Sequence, residues 1–241
     1  MSNYPLITVY IPSRNYGRFL KKAVDSVLNQ LYENWELFIF DEGSEDDTLE
    51  IARGFESSRP KKISVITSNK PQGLQKIANS VLQKAAGKYL IRLDADDWLD
   101  DSALLVMATK LESDRRLGLV YPNYFYTDEG GNIIGMERRL RLWEEDNSGH
   151  FPPHGACTMV RIRSLKSVGG YSEDISAQDG WELWYKLRDR VKSSSIDLPL
   201  FYYRQHGSSL SRDNERLLRA RTKIFEKVAD KLKGSYSLTV L

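Results

Sequence analysis

The sequence has one cysteine, Cys157, only three histidines, and almost no net charge. A lone cysteine closes no internal disulfide and builds no cysteine-ligated zinc site. It suits a reducing compartment, and Cys157 reads as a small apolar residue in a strand. With 35 basic and 33 acidic residues the formal charge is +2, so no basic excess marks nucleic acid as a partner. No apolar run reaches the roughly 20 residues that cross a bilayer. The N-terminus enters a strand-like run by Leu6 without the basic and apolar segments of a signal peptide. We therefore expect a cytoplasmic chain. Only one glycine stands in Pro12-Ser-Arg-Asn-Tyr-Gly17, so the glycine-rich fingerprint of a dinucleotide-binding dehydrogenase is missing.

What is present is an α/β pattern. The 241 residues, 41% hydrophobic and 28% charged, are enough for one large domain with a substantial core. Leu6-Ile-Thr-Val-Tyr-Ile11, Trp35-Glu-Leu-Phe-Ile-Phe40, Ile63-Ser-Val-Ile-Thr67 and Lys88-Tyr-Leu-Ile-Arg-Leu93 are apolar runs of strand length. Between them, Phe19 to Leu31 and Leu74 to Ala85 carry apolar residues at helical spacing, and a further helix runs through Phe55. Repeated strand-helix-strand units imply a mostly parallel sheet covered on both faces, with ligands at the carboxyl ends of its strands. Pro12-Ser-Arg-Asn15, Asp41-Glu-Gly-Ser44 and Asp94-Ala-Asp96-Asp97 all follow strands directly, so three polar clusters converge on one edge.

The last cluster places three carboxylates within four residues. Such groups raise one another's pKa unless a cation sits among them, and oxygen ligands suit a hard ion such as Mg²⁺ or Mn²⁺. An acidic turn capping the next helix is the other reading. Spacing alone leaves both open; convergence with the other clusters favours a site.

The second half predicts a helix over 102–113, a strand from Leu117 and a hairpin turning at Asp128-Glu-Gly-Gly-Asn132. A long exposed loop over 137–153 follows, then a strand at Ala156-Cys-Thr-Met-Val160 and a short helix at 164–168. Without an internal repeat or a clear linker, the expectation is one domain over 1–241 with two lobes sharing a sheet.

Taken in order, Val9-Tyr-Ile-Pro12-Ser-Arg-Asn15, Asp41-Glu-Gly-Ser44, Asp94-Ala-Asp96-Asp97, Val168-Gly-Gly-Tyr171, Gln178-Asp179-Gly-Trp-Glu-Leu-Trp184 and Tyr203-Arg-Gln-His206 resemble the nucleotide-sugar glycosyltransferases of family 2, with the GT-A fold. The resemblance covers nearly the whole chain. It implies a Rossmann-like mixed, mostly parallel sheet flanked by helices. Residues 1–100 would form the nucleotide-sugar lobe, and 101–241 an acceptor lobe ending in a helix. It implies inverting transfer from a nucleoside-diphosphate sugar, a UDP-sugar foremost, to a glycan, glycoprotein or lipid-linked acceptor. Mn²⁺ or Mg²⁺ would neutralise the leaving diphosphate.

By the same resemblance, Pro12, Arg14, Asn15, Asp41, Glu42, Lys76, Asp94, Ala95 and Asp96 contact the donor. Asp96 and His206 hold the metal, and Asp97 supports them. Asp179 is the base that takes the acceptor proton, with Glu182 a weaker candidate and Trp181 and Trp184 sheltering the acceptor. His154 is expected near the acceptor. Arg204 is read as a phosphate contact or a structural ion-pair partner. The chain departs from the family pattern at Glu42, where a second aspartate is usual, and at Gly180, which adds a residue between Asp179 and the tryptophan.

The basic tail over 212–233 has an apolar face of Leu217, Ala220, Ile224, Phe225, Val228 and Leu232. It reads as a peripheral contact at the inner face of the cell membrane or as a helix packed on its own domain. Glu226 and Asp230 weigh toward the second. Two other functions stay open: a sugar-nucleotide pyrophosphorylase, disfavoured by the missing glycine-rich loop, and an inactive carbohydrate-binding relative, disfavoured by the retained carboxylates.

Overall fold

The computed structural model describes residues 4–138, 154–175, 177, 179–207 and 214–236; the side chains of 179, 214, 228 and 230–236 are outside the description. The first four strands are β1 (Ile7–Ser13), β2 (Trp35–Asp41), β3 (Ile63–Thr67) and β4 (Tyr89–Arg92). They pair in parallel in the order β3-β2-β1-β4. The connections are helical: α1 (Gly17–Leu28), α2 (Thr48–Ser58) and α3 (Leu74–Lys84). Strand order reverses at β1, so the crevice between the carboxyl ends of β1 and β4 is the topological switch point where ligands bind in such sheets.

Beyond β4 the sheet becomes mixed. It continues through β8 (Met159–Arg161), β6 (Leu117–Thr127), β9 (Lys192–Arg204) and the two-residue β5 (Trp98–Leu99). β8 is antiparallel to both β4 and β6, while β6 and β9 run parallel over their length. β7 (Ile133–Glu137) closes the expected hairpin on β6. The remaining helices are α4 (Ala103–Ser113), α5 (Ile162–Ser167), α6 (Asp179–Leu187) and α7 (Asn214–Tyr236).

The pleat explains the near-continuous apolar strands. Ile7, Val9 and Ile11 of β1 point to one face with α1 and α4, where Leu20, Ala23, Val24, Val27 and Leu104 are fully buried. Tyr10 points to the other face, with Ile77 and Val81 of α3 and Leu183 and Leu187 of α6. Each such Val, Leu or Ile contributes roughly 1.5–3 kcal/mol by leaving water. A third, smaller cluster docks α7 through Ala220 and Ile224 onto Ile175 and Ala177, beside Trp181 and Tyr185. Lys223 and Lys227 pair with Asp174. The described part of α7 therefore packs on its own domain.

One expected strand is shorter than its apolar run. β8 begins at Met159, and Cys157 lies in a turn at φ +55°, not in a strand. Its N–H donates to the Arg92 carbonyl at 2.9 Å, which holds the turn against the end of β4. Burial first, then the nearby Asp97 charge, push the Cys157 thiol up, so the cysteine is inert packing.

Candidate active site

Three loops meet at the switch point, and hydrogen bonds staple two of them. Asn15, after β1, takes a left-handed conformation (φ +58°) that asparagine tolerates. Its N–H donates to Ser44 Oγ at 3.0 Å, and its Oδ1 accepts from the Glu45 N–H at 2.8 Å. The Tyr16 and Gly17 N–H groups, at the start of α1, donate to Thr48 Oγ1 and Asp46 Oδ2. A Cβ on Gly17 would lie 1.7 Å from Asp47 Oδ1 and 3.1 Å from the Thr48 nitrogen, so glycine lets the exposed Asp47 carboxylate lie close over the start of α1.

Asp41 is buried, with Oδ2 accepting the Ser44 N–H at 3.3 Å. Its Oδ1 and the Ser13 Oγ beside it in the β1–β2 register are buried without a hydrogen-bond partner among the described residues. The same holds for Gln75 Nε2 on α3. Buried polar atoms are normally paired, so three orphans around one crevice fit a polar ligand. Glu42 uses its extra methylene to reach the start of α3, where Oε1 accepts the Gln72 and Gly73 N–H groups at 2.5 and 2.9 Å. Pro12 is buried, while Arg14 and Lys76 are exposed. Neither basic side chain enters an ion pair among the described residues.

Ser13 and Gln75 were not singled out from the sequence. A signal for Gln75 exists: it is a polar residue in the apolar stripe that Ala78 and Leu82 continue on α3.

At the end of β4 the three carboxylates are held differently. Asp94 Oδ1 lies 2.9 Å from Nε of the buried Arg92, an ion pair. Ala95 is buried beneath the loop. Asp96 Oδ2 is 2.8 Å from Nε2 of His206, whose side chain is wholly buried against Phe19 and Tyr16. Asp97, 1% exposed, accepts the Arg204 backbone N–H at 2.8 Å. Arg204 is a structural knot and not a free phosphate ligand. Its Nε donates to the Asp96 carbonyl at 2.7 Å and its guanidinium to the Glu129 carbonyl, while Phe19 and Trp98 flank it at 4.5 and 4.8 Å.

This packing strains the charges. Burial first and the Asp94 charge second push the Asp96 carboxyl above the usual aspartate range, with the His206 bond pulling partly back. Burial, then Asp96 and Asp94, push Asp97 well above it. The Tyr16 hydroxyl is also raised, by burial and then by Asp96. The arrangement has more negative charge than its surroundings compensate, and a cation would relieve it.

The donor set fits one. Two atoms bound at right angles to an ion about 2.1 Å away are about 3 Å apart, close to the Asp96–His206 separation. Among the described residues no cluster of three or more His, Cys, Asp or Glu could hold the ion alone. Mg²⁺-type sites commonly complete their shell with water and substrate phosphate.

On the acceptor side, α6 begins at Asp179, whose side chain is outside the described residues, as is Gln178. Glu182, the weaker base candidate, is already paired. It is 4% exposed, its Oε1 is 2.5 Å from Lys186 Nζ, and it accepts from Ser172 Oγ at 2.7 Å. The two tryptophans are likewise occupied. Trp184 is buried in the core, and Trp181 packs edge-on against Phe225 and under Arg221 of α7. His154 sits among Tyr124, Phe201 and Tyr203, with ring centroids 5.2–6.1 Å away.

Comparison with known proteins bears on the fold and the family. The mannosyltransferase PcManGT from Pyrobaculum calidifontis, solved in complex with GDP-Man and Mn²⁺, superposes with a TM-score of 0.74 at 16% identity, over 95% of this chain and 65% of that one. This shows the shared GT-A fold. A chondroitin synthase from Escherichia coli is 26% identical over 211 residues, covering 88% of this chain and 30% of the synthase. The chain spans 22–30% of the length of the chondroitin and hyaluronan synthases it matches. The E. coli UDP-Glc:alpha-D-GlcNAc-diphosphoundecaprenol beta-1,3-glucosyltransferase WfgD is 30% identical over 217 residues, 88% of this chain and 81% of that enzyme. The family description "Glycosyl transferase family 2" matches residues 8–169, more than half of the sequence and all three loops of the switch point, so the chain belongs to glycosyltransferase family 2.

Proposed function

We propose that the chain is a metal-dependent, inverting glycosyltransferase that moves a sugar from a nucleoside-diphosphate sugar to an acceptor hydroxyl. The observation that carries this reading is the Asp96–His206 pair, 2.8 Å apart beside two further carboxylates at the switch point of the sheet. Asp96 and His206 would hold Mn²⁺ or Mg²⁺, which when bound supplies positive charge to the leaving diphosphate.

Residues 1–100 bind the donor in this reading. The orphan acceptor of Asp41 and the hydroxyl of Ser13 recognise the base, Glu42 fixes the loop that borders it, and Asn15 fixes the loop after β1. Pro12, Arg14, Lys76, Asp94 and Ala95 complete the donor wall. Asp179, at the first turn of α6, accepts the proton of the attacking hydroxyl, and inversion follows from a single displacement without a covalent intermediate. UDP is the favoured nucleotide because WfgD is named for UDP-Glc. The complex of PcManGT with GDP-Man makes GDP the competitor to test. Residues 101–241 take the acceptor, a glycan, glycoprotein or lipid-linked sugar. No described helix is long and apolar enough to cross a membrane. We propose that the reaction takes place in the cytoplasm or peripherally at the inner face of the cell membrane.

Thermal shift with UDP, GDP and their sugars, with and without Mn²⁺, tests the donor assignment. UDP-sugar stabilisation that requires Mn²⁺ supports it. Asp179→Asn should then abolish transfer while donor binding persists, because only the base is lost. Near-normal turnover in that variant removes Asp179 from its role.

A further inference from the structure

At the other end of the sheet lies a second concavity unrelated to the switch point. β8 is antiparallel to β4 and to β6, so β6 runs in the sense of β4 and begins at the edge opposite the carboxylates. Leu117, the first residue of β6, pairs there with Lys192, the first of β9. A cavity of about 840 Å³ opens at this edge, within the size range of small-molecule sites. Its wall holds six basic residues, Arg115, Arg116, Arg163, Arg188, Arg190 and Lys192, and one acidic residue, Asp189.

The charges are unequally compensated. Asp114 engages Arg116 with contacts of 2.7–3.0 Å, and Asp189 lies 3.3 Å from Arg188. Arg163 and Arg190 donate to the carbonyls of Arg115 and Ser167, which orients their guanidinium groups without neutralising them. Arg115 and Lys192 enter no ion pair among the described residues, although the charges of Asp114 and Lys192 attract each other at longer range. The turn before β6 is anchored from below. Buried Arg161 donates to the carbonyls of Leu117 and Leu111, fixing the turn that presents Arg115 and Arg116. Leu117 and Val191 supply an apolar floor, flanked by buried Ser164 and Ser193.

Four like charges held around one hollow repel each other, and oriented guanidinium forks match phosphate oxygens. We propose that this cavity binds a multivalent phosphate-bearing anion, at a site separate from the donor crevice. The phosphate can come from a soluble phosphorylated compound or from a lipid headgroup; the recognising chemistry is shared. The inference is independent of the transferase reading.

The test uses the full chain in EDTA, with inorganic pyrophosphate followed by calorimetry and sedimentation with phosphatidylcholine vesicles containing or lacking phosphatidylglycerol. Arg163→Gln/Arg190→Gln removes two oriented forks. Arg115→Gln/Lys192→Gln removes two exposed charges that hold no other element, so it keeps the fold. Each double variant should weaken binding by about tenfold for each charge-assisted hydrogen bond lost, and Asp96→Asn should leave it unchanged. Pyrophosphate binding lost this way assigns a soluble phosphate; sedimentation with the anionic vesicles alone, lost the same way, assigns a lipid headgroup. If neither probe binds, or if binding survives both double variants, the proposal is overturned.

Discussion

Asp94 and Asp96 stand two residues apart on one loop, yet replacing each by asparagine should move stability in opposite directions. Asp94 is the carboxylate paired with Arg92, whose side chain is only 6% exposed. Removing one partner of a buried pair costs about 3–5 kcal/mol. The Asp94 side chain is 25% exposed, so solvent screening lowers the expected loss to about 2–3 kcal/mol. Burial first and the Asp94 charge second work against the ionised form of Asp96. Asparagine keeps a hydrogen bond with His206 and carries no charge, so Asp96→Asn should gain about 1 kcal/mol, as relief of a functional compromise commonly does.

The pH dependence has a definite sign. The folded-state pKa of Asp96 lies above its ordinary value of 3.8, so the folded state takes up this proton before the unfolded chain does. Wild type therefore recovers the lost stability as pH falls from neutral through the raised pKa. The advantage of Asp96→Asn should shrink over that window. Urea unfolding in EDTA measures both variants. In heating, about 2–4 °C per kcal/mol is expected at this chain length. Mn²⁺ at a hundred times its Kd adds about 2.7 kcal/mol to wild type and should add nothing to Asp96→Asn. Asp96→Asn as destabilised as Asp94→Asn, or stabilised by Mn²⁺ like wild type, would refute the assignment of these two carboxylates.

Glu182→Gln should cost about 2–4 kcal/mol through loss of the buried pair with Lys186, while kcat and its pH profile stay near wild type; a folded but inactive variant would restore Glu182 as base. Gly17→Ala should change stability by less than about 1 kcal/mol, read by urea unfolding, because the exposed Asp47 carboxylate that its Cβ meets can swing aside and alanine favours the helix. The anchor of α7 should be acid-labile. The hydrogen bond from Lys227 and then Lys223 hold Asp174 down to about 2, below its ordinary 3.8, so its contribution is complete above pH 4 and disappears as pH falls through about 2. Trp181 fluorescence reports the change through its contact with Phe225, and Asp174→Asn should remove the acid step.

The nucleotide half was readable because its strands are buried on both faces. Ile7, Val9 and Ile11 face one cluster and Tyr10 the other, so the run is apolar throughout and cannot be mistaken for a surface segment. The start of β9 was not readable. Lys192-Ser-Ser-Ser195 has little strand propensity, and its conformation comes from parallel pairing with β6, more than 70 residues earlier. β5 is two residues long and exists only by pairing with Phe201 and Tyr202. The Cys157 turn hid inside an apolar run because burial, not a strand ladder, selected its residues. At the site, Asp41, Asp94 and Asp96 announced themselves as charges at strand ends. Ser13 and Gln75 did not, since a hydroxyl or amide matters there only for lacking a partner, which is a property of three dimensions.

The same distinction separates structure from chemistry among the acidic residues. A carboxylate that serves the fold is compensated where it stands: Asp174 by two lysines, Glu182 by Lys186, Asp114 by Arg116. Each could be predicted as a helper of its neighbours without reference to any ligand. Asp97 instead receives a backbone N–H, and Asp96 faces a histidine that offers a full charge only when protonated. Their burial disfavours the very ionisation that a diphosphate site would have to exploit. An incoming nucleotide brings more negative charge, so the loop cannot bind it favourably through carboxylates alone. In the proposed reading a cation shared between loop and diphosphate would turn two repulsive partners into attractive ones, and it would do so reciprocally, each ligand tightening the other by the same factor. Compensation deferred to the ligand is thus the property that sets Asp96 and Asp97 apart from Asp174, Glu182 and Asp114.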